Sequence, residues 1–291
     1  MSGFSEYHPL VNFLYFALVL AFSMVFMHPL CLAVSLLCAI AYSVYLNRRK
    51  AVRFNLMYML PVLILTAVIN PLFNHAGATI LGYFRNGNPL TLESILYGVA
   101  AAVMLVTVIS WFSCFNTIIT SDKFVYLFGR IIPAMSLILA MSLRLVPRFK
   151  AQAKVISNAQ RCIGRDISAG NIIKRARNGI KILSILVTWA LENAIDTADS
   201  MKSRGYGIKG RTAFSIYHFD ARDAAMTVFL LLCGGFIITG AALGGLTYRY
   251  FPQALEVSPG GLAAALLAAY FALCVSPLVI CVREDIKWKA T

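Results

Sequence analysis

Charge is what this sequence lacks most. Only 13% of its 291 residues are Asp, Glu, Lys or Arg, 59% are hydrophobic, and the mean hydropathy is +0.75. A soluble domain carries about a quarter charged residues, so much of this surface is expected to face lipid. Acidic residues are the scarcer sign, 12 against 26 Lys and Arg. The pattern G-x-x-x-x-G-K-S/T is absent, which excludes a P-loop nucleotide site in this chain. Neither H-E-x-x-H nor paired carboxylates at ligand spacing occur, and His8, His28, His75 and His218 are scattered. That leaves little for a polytopic enzyme to work with. His75, beside Asn74, is the one histidine to weigh as a catalyst, and packing at a helix end accounts for it better. Asp220, Arg222 and Asp223 read as interfacial charges at a span entrance. The cysteines at 31, 38, 114, 162, 233, 274 and 281 form no C-x-x-C pair. They read as small apolar residues in helices, so no disulfide framework, metal centre or cofactor is expected. Residues Ser2 to Leu10 lack the basic region and cleavage site of a signal peptide, and no internal repeat stands out.

What the sequence does contain is long apolar runs. A spanning helix needs about 20 apolar residues. Asn12 to Leu46 is too long for one crossing and is broken at His28-Pro29, where a proline favours a turn; it predicts two short spans in a hairpin. Phe54 to Leu72 predicts a third and Glu93 to Ile119 a fourth. Ala224 to Leu246 and Gly260 to Val282 predict two more. Gly234-Gly235, Gly240 and Gly244-Gly245 suit close approach of helices in lipid. The fold class is therefore all-α: a polytopic membrane protein of about six transmembrane helices plus helices outside the membrane.

The basic residues orient these spans. Arg48, Arg49, Lys50 and Arg53 follow the first hairpin, fifteen more lie between Arg144 and Arg222, and Arg283, Lys287 and Lys289 close the chain. The opposite loops hold Arg85 and Arg249. By the positive-inside rule the 48–53 turn, the 144–223 block and both termini are cytoplasmic. Phe124 to Leu143 is apolar enough to cross, but crossing would put the basic block outside. With Arg130 inside it and Pro133 placed to kink it, it is expected to lie along the inner face or dip in and out, as the start of a long amphipathic helix; a Pro-kinked true span, paired with a missed span elsewhere, is the rival reading. The chain then divides into membrane helices at 1–123, a cytoplasmic and interfacial region at 124–223, and membrane helices at 224–291.

The basic block carries fifteen Lys and Arg against six Asp and Glu over residues 144–223. On charge alone it is an inside loop attracted to anionic lipid. It has few aromatics for base stacking, so nucleic acid is not an expected partner. From Ile180 onward, Ile182, Leu183, Ile185, Leu186, Trp189, Ala190 and Asn193 trace one helical face, with Glu192, Asp196, Asp199 and Ser203 on a more polar side. Gly205 follows as a left-handed stop, and Arg204 complements the negative end of the dipole. By itself that is an ordinary helix terminus. Pro147 to Gly164, however, is a second helix ending at glycine near an arginine. Two such ends suggest a paired docking device, for which the planar guanidinium fork is suited.

These residues resemble the transmembrane T component of energy-coupling factor (ECF) transporters, a branch of the ABC-type importers of vitamins and metal ions. That family carries two Ala-Arg-Gly-type motifs at the ends of cytoplasmic coupling helices. The second matches as Met201-Lys202-Ser203-Arg204-Gly205-Tyr206-Gly207, preceded by Asp196-Thr197-Ala198-Asp199-Ser200. The first aligns as Ala159-Gln160-Arg161-Cys162-Ile163-Gly164, with Ile163 where the family usually has arginine; Arg161 and Arg165 are the two candidates to supply that charge. His8-Pro9, Asn70-Pro71-Leu72 and Leu143-Arg144-Leu145-Val146-Pro147 extend the likeness over nearly the whole chain. The resemblance implies a non-catalytic coupler whose helix ends dock two cytoplasmic ABC-type ATPase subunits. It also implies a small membrane S component that holds the substrate. The rival readings are a self-contained secondary transporter and a scaffold for another soluble partner. Secondary transporters place ionisable groups within their spans, whereas here Glu93 stands at a span boundary and Arg130 in the ambiguous segment.

Overall fold

The computed structural model describes residues 3–83, 87–129, 133–168, 170–206, 208, 217–252, 255–256 and 260–290. Arg85, Arg130, Gly207, Lys209 and Arg211 lie outside the described residues. The chain divides into two compact units, one of residues 1–120 with 217–291 and one of residues 121–216.

The first unit is built on apolar helices. They are α1 (Pro9–Val25), α2 (Pro29–Asn47), α3 (Arg49–Phe54), α4 (Leu60–Phe73) and α5 (Leu92–Ile118). A π turn, Asn55–Met59, joins α3 to α4 in one apolar helix over Arg49–Phe73. Later in the chain come the α9 (Ala221–Ala242) and α10 (Gly260–Ala290) helices, numbered to leave α6, α7 and α8 for the second unit. Among the described residues five helices are long and apolar enough to cross a membrane, and α1, with 17 residues, is a shorter apolar helix. At 1.5 Å per residue α1 is about 26 Å long, near the lower limit for crossing.

Several boundaries differ from the sequence reading. His28-Pro29 does more than break a run. His8 and His28 each cap the helix that follows, accepting from the backbone N–H of Leu10 at 3.2 Å and of Leu30 at 3.3 Å, with proline in the first helical turn. The expected 48–53 turn is a single residue: Arg48 takes φ 46°, and the next helix has begun by Arg49. α10 runs past Val282 to Ala290, since Arg283 and Lys287 favour the negative end of a helix. α9 stops at Ala242, ahead of a turn at Gly244.

Side-chain contacts place the helix ends. Tyr45 near the end of α2 hydrogen-bonds Asp285 on α10, Asn47 reaches Thr117 of α5 at 3.3 Å, and Arg222 of α9 lies 3.6 Å from Glu284. The backbone N–H of His8 donates to Asp223, which is buried and also accepts from the Asp220 N–H. The starts of α1, α3 and α9 and the ends of α2, α5 and α10 therefore share one end of this unit, and it holds Arg48, Arg49, Lys50 and Arg53. The opposite end carries two short hairpins, β1 (Ile80–Tyr83) with β2 (Pro89–Thr91) and β3 (Tyr248–Arg249) with β4 (Leu255–Glu256). They join through the Ala78 N–H, which donates to the Pro252 carbonyl.

The core is aromatic and stitched by hydroxyls. Trp111 of α5 is fully buried and donates from Nε1 to Ser35 Oγ of α2 at 3.0 Å. Ser35 pairs with Ser23 of α1 at 2.9 Å, and Ser23 with the Tyr270 hydroxyl of α10 at 3.2 Å. In lipid each such bond locks neighbouring helices, because the separated groups have no water to turn to. Of the expected small-residue contacts, Gly240 and Gly245 qualify. A Cβ on Gly240 would overlap the Leu266 side chain, and one on Gly245 would meet Leu262 at 2.9 Å. Gly235 faces open space.

The second unit contains α6 (Ser121–Gly129), α7 (Pro133–Cys162) and α8 (Ile172–Ser203). Phe124 to Leu143 falls on α6, up to Gly129, and on α7, from Pro133; residues 130–132 between them lie outside the described residues. α7 runs through Pro147 to Cys162, in keeping with a long helix that starts within Phe124 to Leu143. α8 begins at Ile172, ahead of the expected Ile180, with Asn171 accepting from the Ile172 N–H at 2.8 Å.

Candidate functional site, the two glycine-terminated helix ends

α7 and α8 pack against each other. Phe149 meets Trp189 with ring centroids 5.7 Å apart, and Asn178 Nδ2 donates to the Asp166 carbonyl at 3.0 Å. These pairs, residue 149 with 189 and 166 with 178, fix an antiparallel arrangement. Ile182 is the most buried apolar side chain of α8, with Leu186, Trp189, Ala190 and Asn193 half-buried along the same face. Leu183 and Ile185, read from sequence onto that face, are exposed. With Ile180, Val187, Leu191 and Ile195, Leu183 forms a second apolar stripe, each member at least 50% exposed.

Both helices end in the same backbone motif. At the end of α7 the Gly164 N–H donates to the Arg161 carbonyl at 3.0 Å and the Arg165 N–H to the Gln160 carbonyl at 2.9 Å. At the end of α8 the Gly205 N–H donates to Lys202 at 3.0 Å and the Tyr206 N–H to Met201 at 3.0 Å. Gly164 and Gly205 take φ +77° and +79°, the left-handed conformation that a Schellman stop requires. The register pairs Ile163 with Arg204, Cys162 with Ser203, Arg161 with Lys202 and Gln160 with Met201. Ile163 is 61% exposed at the position that arginine holds in the other helix.

The two ends differ in electrostatics. Arg161 Nε lies 3.2 Å from Asp166 Oδ2, and Asp166 Oδ1 accepts from the Ser168 N–H at 2.9 Å. The Ser168 N–H and hydroxyl, followed by the Arg161 guanidinium, hold the Asp166 carboxyl below its ordinary value. Arg175 Nε donates to the Ile167 carbonyl at 2.7 Å, which ties the connection back onto α8. Arg165 and Arg204 are exposed, and neither forms an ion pair among the described residues. Ala159 is exposed and Gln160 half-buried at the last turn of α7, and the Ser203 hydroxyl turns back to the Ser200 carbonyl at 2.9 Å. The Asp166 latch escaped the sequence reading. Its signal was an Asx turn, an aspartate two residues before a serine.

The structure does not bring the two ends together. α8 has 32 residues, so about 48 Å of helix at 1.5 Å per residue separates them. Among the described residues no three His, Cys, Asp or Glu side chains gather as metal ligands. His75 Nε2 contacts Asn88 Nδ2 at 3.1 Å in an exposed loop, while Arg222 stacks 4.7 Å from the Tyr7 ring centroid.

Residues 8–214 match the CbiQ family, described as cobalt transport protein. The chain is similar to the energy-coupling factor transporter transmembrane protein EcfT of Lactobacillus helveticus, with 38% identity over 106 residues, 36% of this chain and 38% of that protein. It is 34% identical to EcfT of Lactococcus lactis over 99 residues, 34% of this chain and 37% of that protein. With EcfT 1 of Listeria monocytogenes it shares 30% over 194 residues, 60% of this chain and 70% of that protein. The chain thus spans less than two fifths of the first two relatives. Five span-length apolar helices and the shorter α1 among the described residues, the packed α7 and α8, and these likenesses converge: the chain belongs to the CbiQ family of transmembrane T components of energy-coupling factor transporters.

Proposed function

We propose that this chain couples ATP hydrolysis on two cytoplasmic ABC-type ATPases to a small membrane S component that binds a vitamin or a metal ion for uptake. Residues 124–223 act as the coupling region, between membrane helices at 1–123 and 224–291. Both termini and the end bearing Arg48 to Arg53 face the cytoplasm, in keeping with the positive-inside rule. The chain itself does no chemistry; hydrolysis belongs to the partners.

One observation carries the reading: two helices end in the same hydrogen-bonded stop, at opposite ends of α8. A repeated, exposed and rigid terminus suits two similar grooves on two partners, and its separation suits one ATPase at each end. Ser203, Arg204 and Gly205 form one docking element, and Ala159, Gln160, Arg161 and Gly164 form the other. At the second element Arg204 projects the docking charge. At the first, Arg165 supplies it, since Arg161 is engaged by Asp166 and the equivalent of Arg204 is Ile163. The apolar stripe of α8 from Ile180 to Ile195 provides a surface for the S component, which must be moved when the ATPases close.

Affinity purification of the tagged chain from its native membrane in mild detergent tests the proposal. Two P-loop ATPases and a small apolar subunit are expected with it. A chain that emerges alone and moves solute in liposomes without ATP is a secondary transporter, and the coupling reading is then wrong.

A further inference from the structure

Between Glu6 and Glu93 the sequence contains no acidic residue, yet Arg48, Arg49, Lys50 and Arg53 fall within six positions. All four are exposed, and none forms an ion pair among the described residues. Arg49 and Arg53, four apart on one helix, repel each other. The nearby acidic group on α10, Asp285, is held by the Tyr45 hydroxyl. The cluster is thus positive charge with no ion pair among the described residues, at the junction of two candidate membrane spans.

It also has a cavity. α2 and α4 both pack on α5, and the chain reverses at Arg48 alone, so a wedge opens between the end of α2 and the helix that follows. The wedge is a groove of about 860 Å³, lined by the four cations and by Val44, Val52 and Leu56. Leu56 is 65% exposed and continues into Met57, Leu60, Ile64 and Leu65, the apolar outer face of the Arg49–Phe73 helix. A cationic rim over an apolar wall that runs on toward lipid is complementary to an anionic amphiphile. Free phosphate has nothing to place on Val44, Val52 and Leu56, and an acidic protein segment would have to leave water for the lipid-facing wall.

We propose that this groove binds the headgroup of an anionic glycerophospholipid, with the phosphodiester among Arg48, Arg49, Lys50 and Arg53 and the first acyl carbons along Val44, Val52 and Leu56. The site is independent of the coupling reading and does not require either docking element.

Native mass spectrometry of the purified full chain tests it, with phosphatidylglycerol, phosphatidylcholine and inorganic phosphate titrated separately. One tightly held phosphatidylglycerol is expected. Arg49→Gln with Arg53→Gln should weaken it about 25-fold, roughly fivefold per basic residue lost at an anionic headgroup. Arg49→Lys with Arg53→Lys should retain most of it. Arg283→Gln with Lys287→Gln, at the same end of the helices but outside the groove, should leave it in place. Thermal stability is followed in parallel to confirm that each variant is folded. Equal retention of phosphatidylcholine, equal loss from the Arg283 and Lys287 pair, or inorganic phosphate binding as tightly as the lipid would each overturn the assignment.

Discussion

Arg204→Ala separates docking from folding. Arg204 caps α8 with its side chain in solvent and no ion pair among the described residues. Its contribution to the isolated chain is the helix-dipole term, about 0.3–1 kcal/mol for an exposed cation, so a melting shift of at most a few degrees is expected. An arginine buried by a partner contributes about 2 kcal/mol or more to binding, which is about a 30-fold change in Kd. Titrating the purified chain with its ATPase pair should therefore show about 30-fold weaker binding for Arg204→Ala, with loss of ATP-driven uptake and near-normal melting. Arg165→Ala should behave alike at the other end. Arg161→Ala should cost less, because an exposed ion pair is worth about 0.2–1 kcal/mol. Wild-type affinity in Arg204→Ala refutes the docking role. A variant that loses binding only because it unfolds refutes the claim that the residue is free of structural duty.

Gly205→Val should destabilise the end of α8, since a β-branched residue at φ +79° is strained and its Cβ would lie 3.1 Å from Ile208. The left-handed conformation costs about 1–2 kcal/mol for an L-residue, so limited proteolysis should cut there faster, with Gly205→Asn intermediate. Gly245→Val should loosen α9 from α10, because the added atoms meet Leu262 and the Gly240 carbonyl, each at 2.9 Å; overpacking of about 1–3 kcal/mol should lower the melting temperature. Acid should release the α7–α8 connection. The Asp166 carboxyl is held below its unfolded value, so its contribution is complete above that value, about 3.9, and is lost as pH falls through the lower native one. Hydrogen exchange at Ile167 and Ser168, corrected for intrinsic rates, should rise over that interval in the wild type and be high throughout in Asp166→Ala, which has no side-chain acceptor.

The spans were legible because lipid selects apolar runs of fixed length, and the all-α class followed from them. Their ends were less so. His28-Pro29 was read as a break, and its second role, a ring nitrogen capping the next helix, depends on a rotamer that composition does not encode. Pro133 is expected to kink the stretch from Phe124 to Leu143, and it is the first described residue of α7, with α6 described up to Gly129. The apolar residues of α8 form two stripes, and only the packing of α7 decides that Ile182 is buried and Leu183 exposed. Ser23, Ser35 and Trp111 drew no notice, being far apart in sequence and joined only when α1, α2 and α5 meet. At the helix ends, glycine after an arginine-bearing turn showed where each stop lies. That Ile163 takes the place of Arg204, and that Asp166 holds Arg161, needed the register of the two stops and an ion-pair distance.

The most direct test of two-ended docking is site-specific cross-linking in native membranes, with a photoreactive residue at Ile163, at Tyr206 and, on the exposed stripe of α8, at Leu191. The account requires Ile163 and Tyr206 each to capture a P-loop ATPase and Leu191 to capture a small membrane subunit instead. If neither helix end captures an ATPase while Leu191 does, the glycine-terminated ends are ordinary helix stops and the coupling surface lies elsewhere.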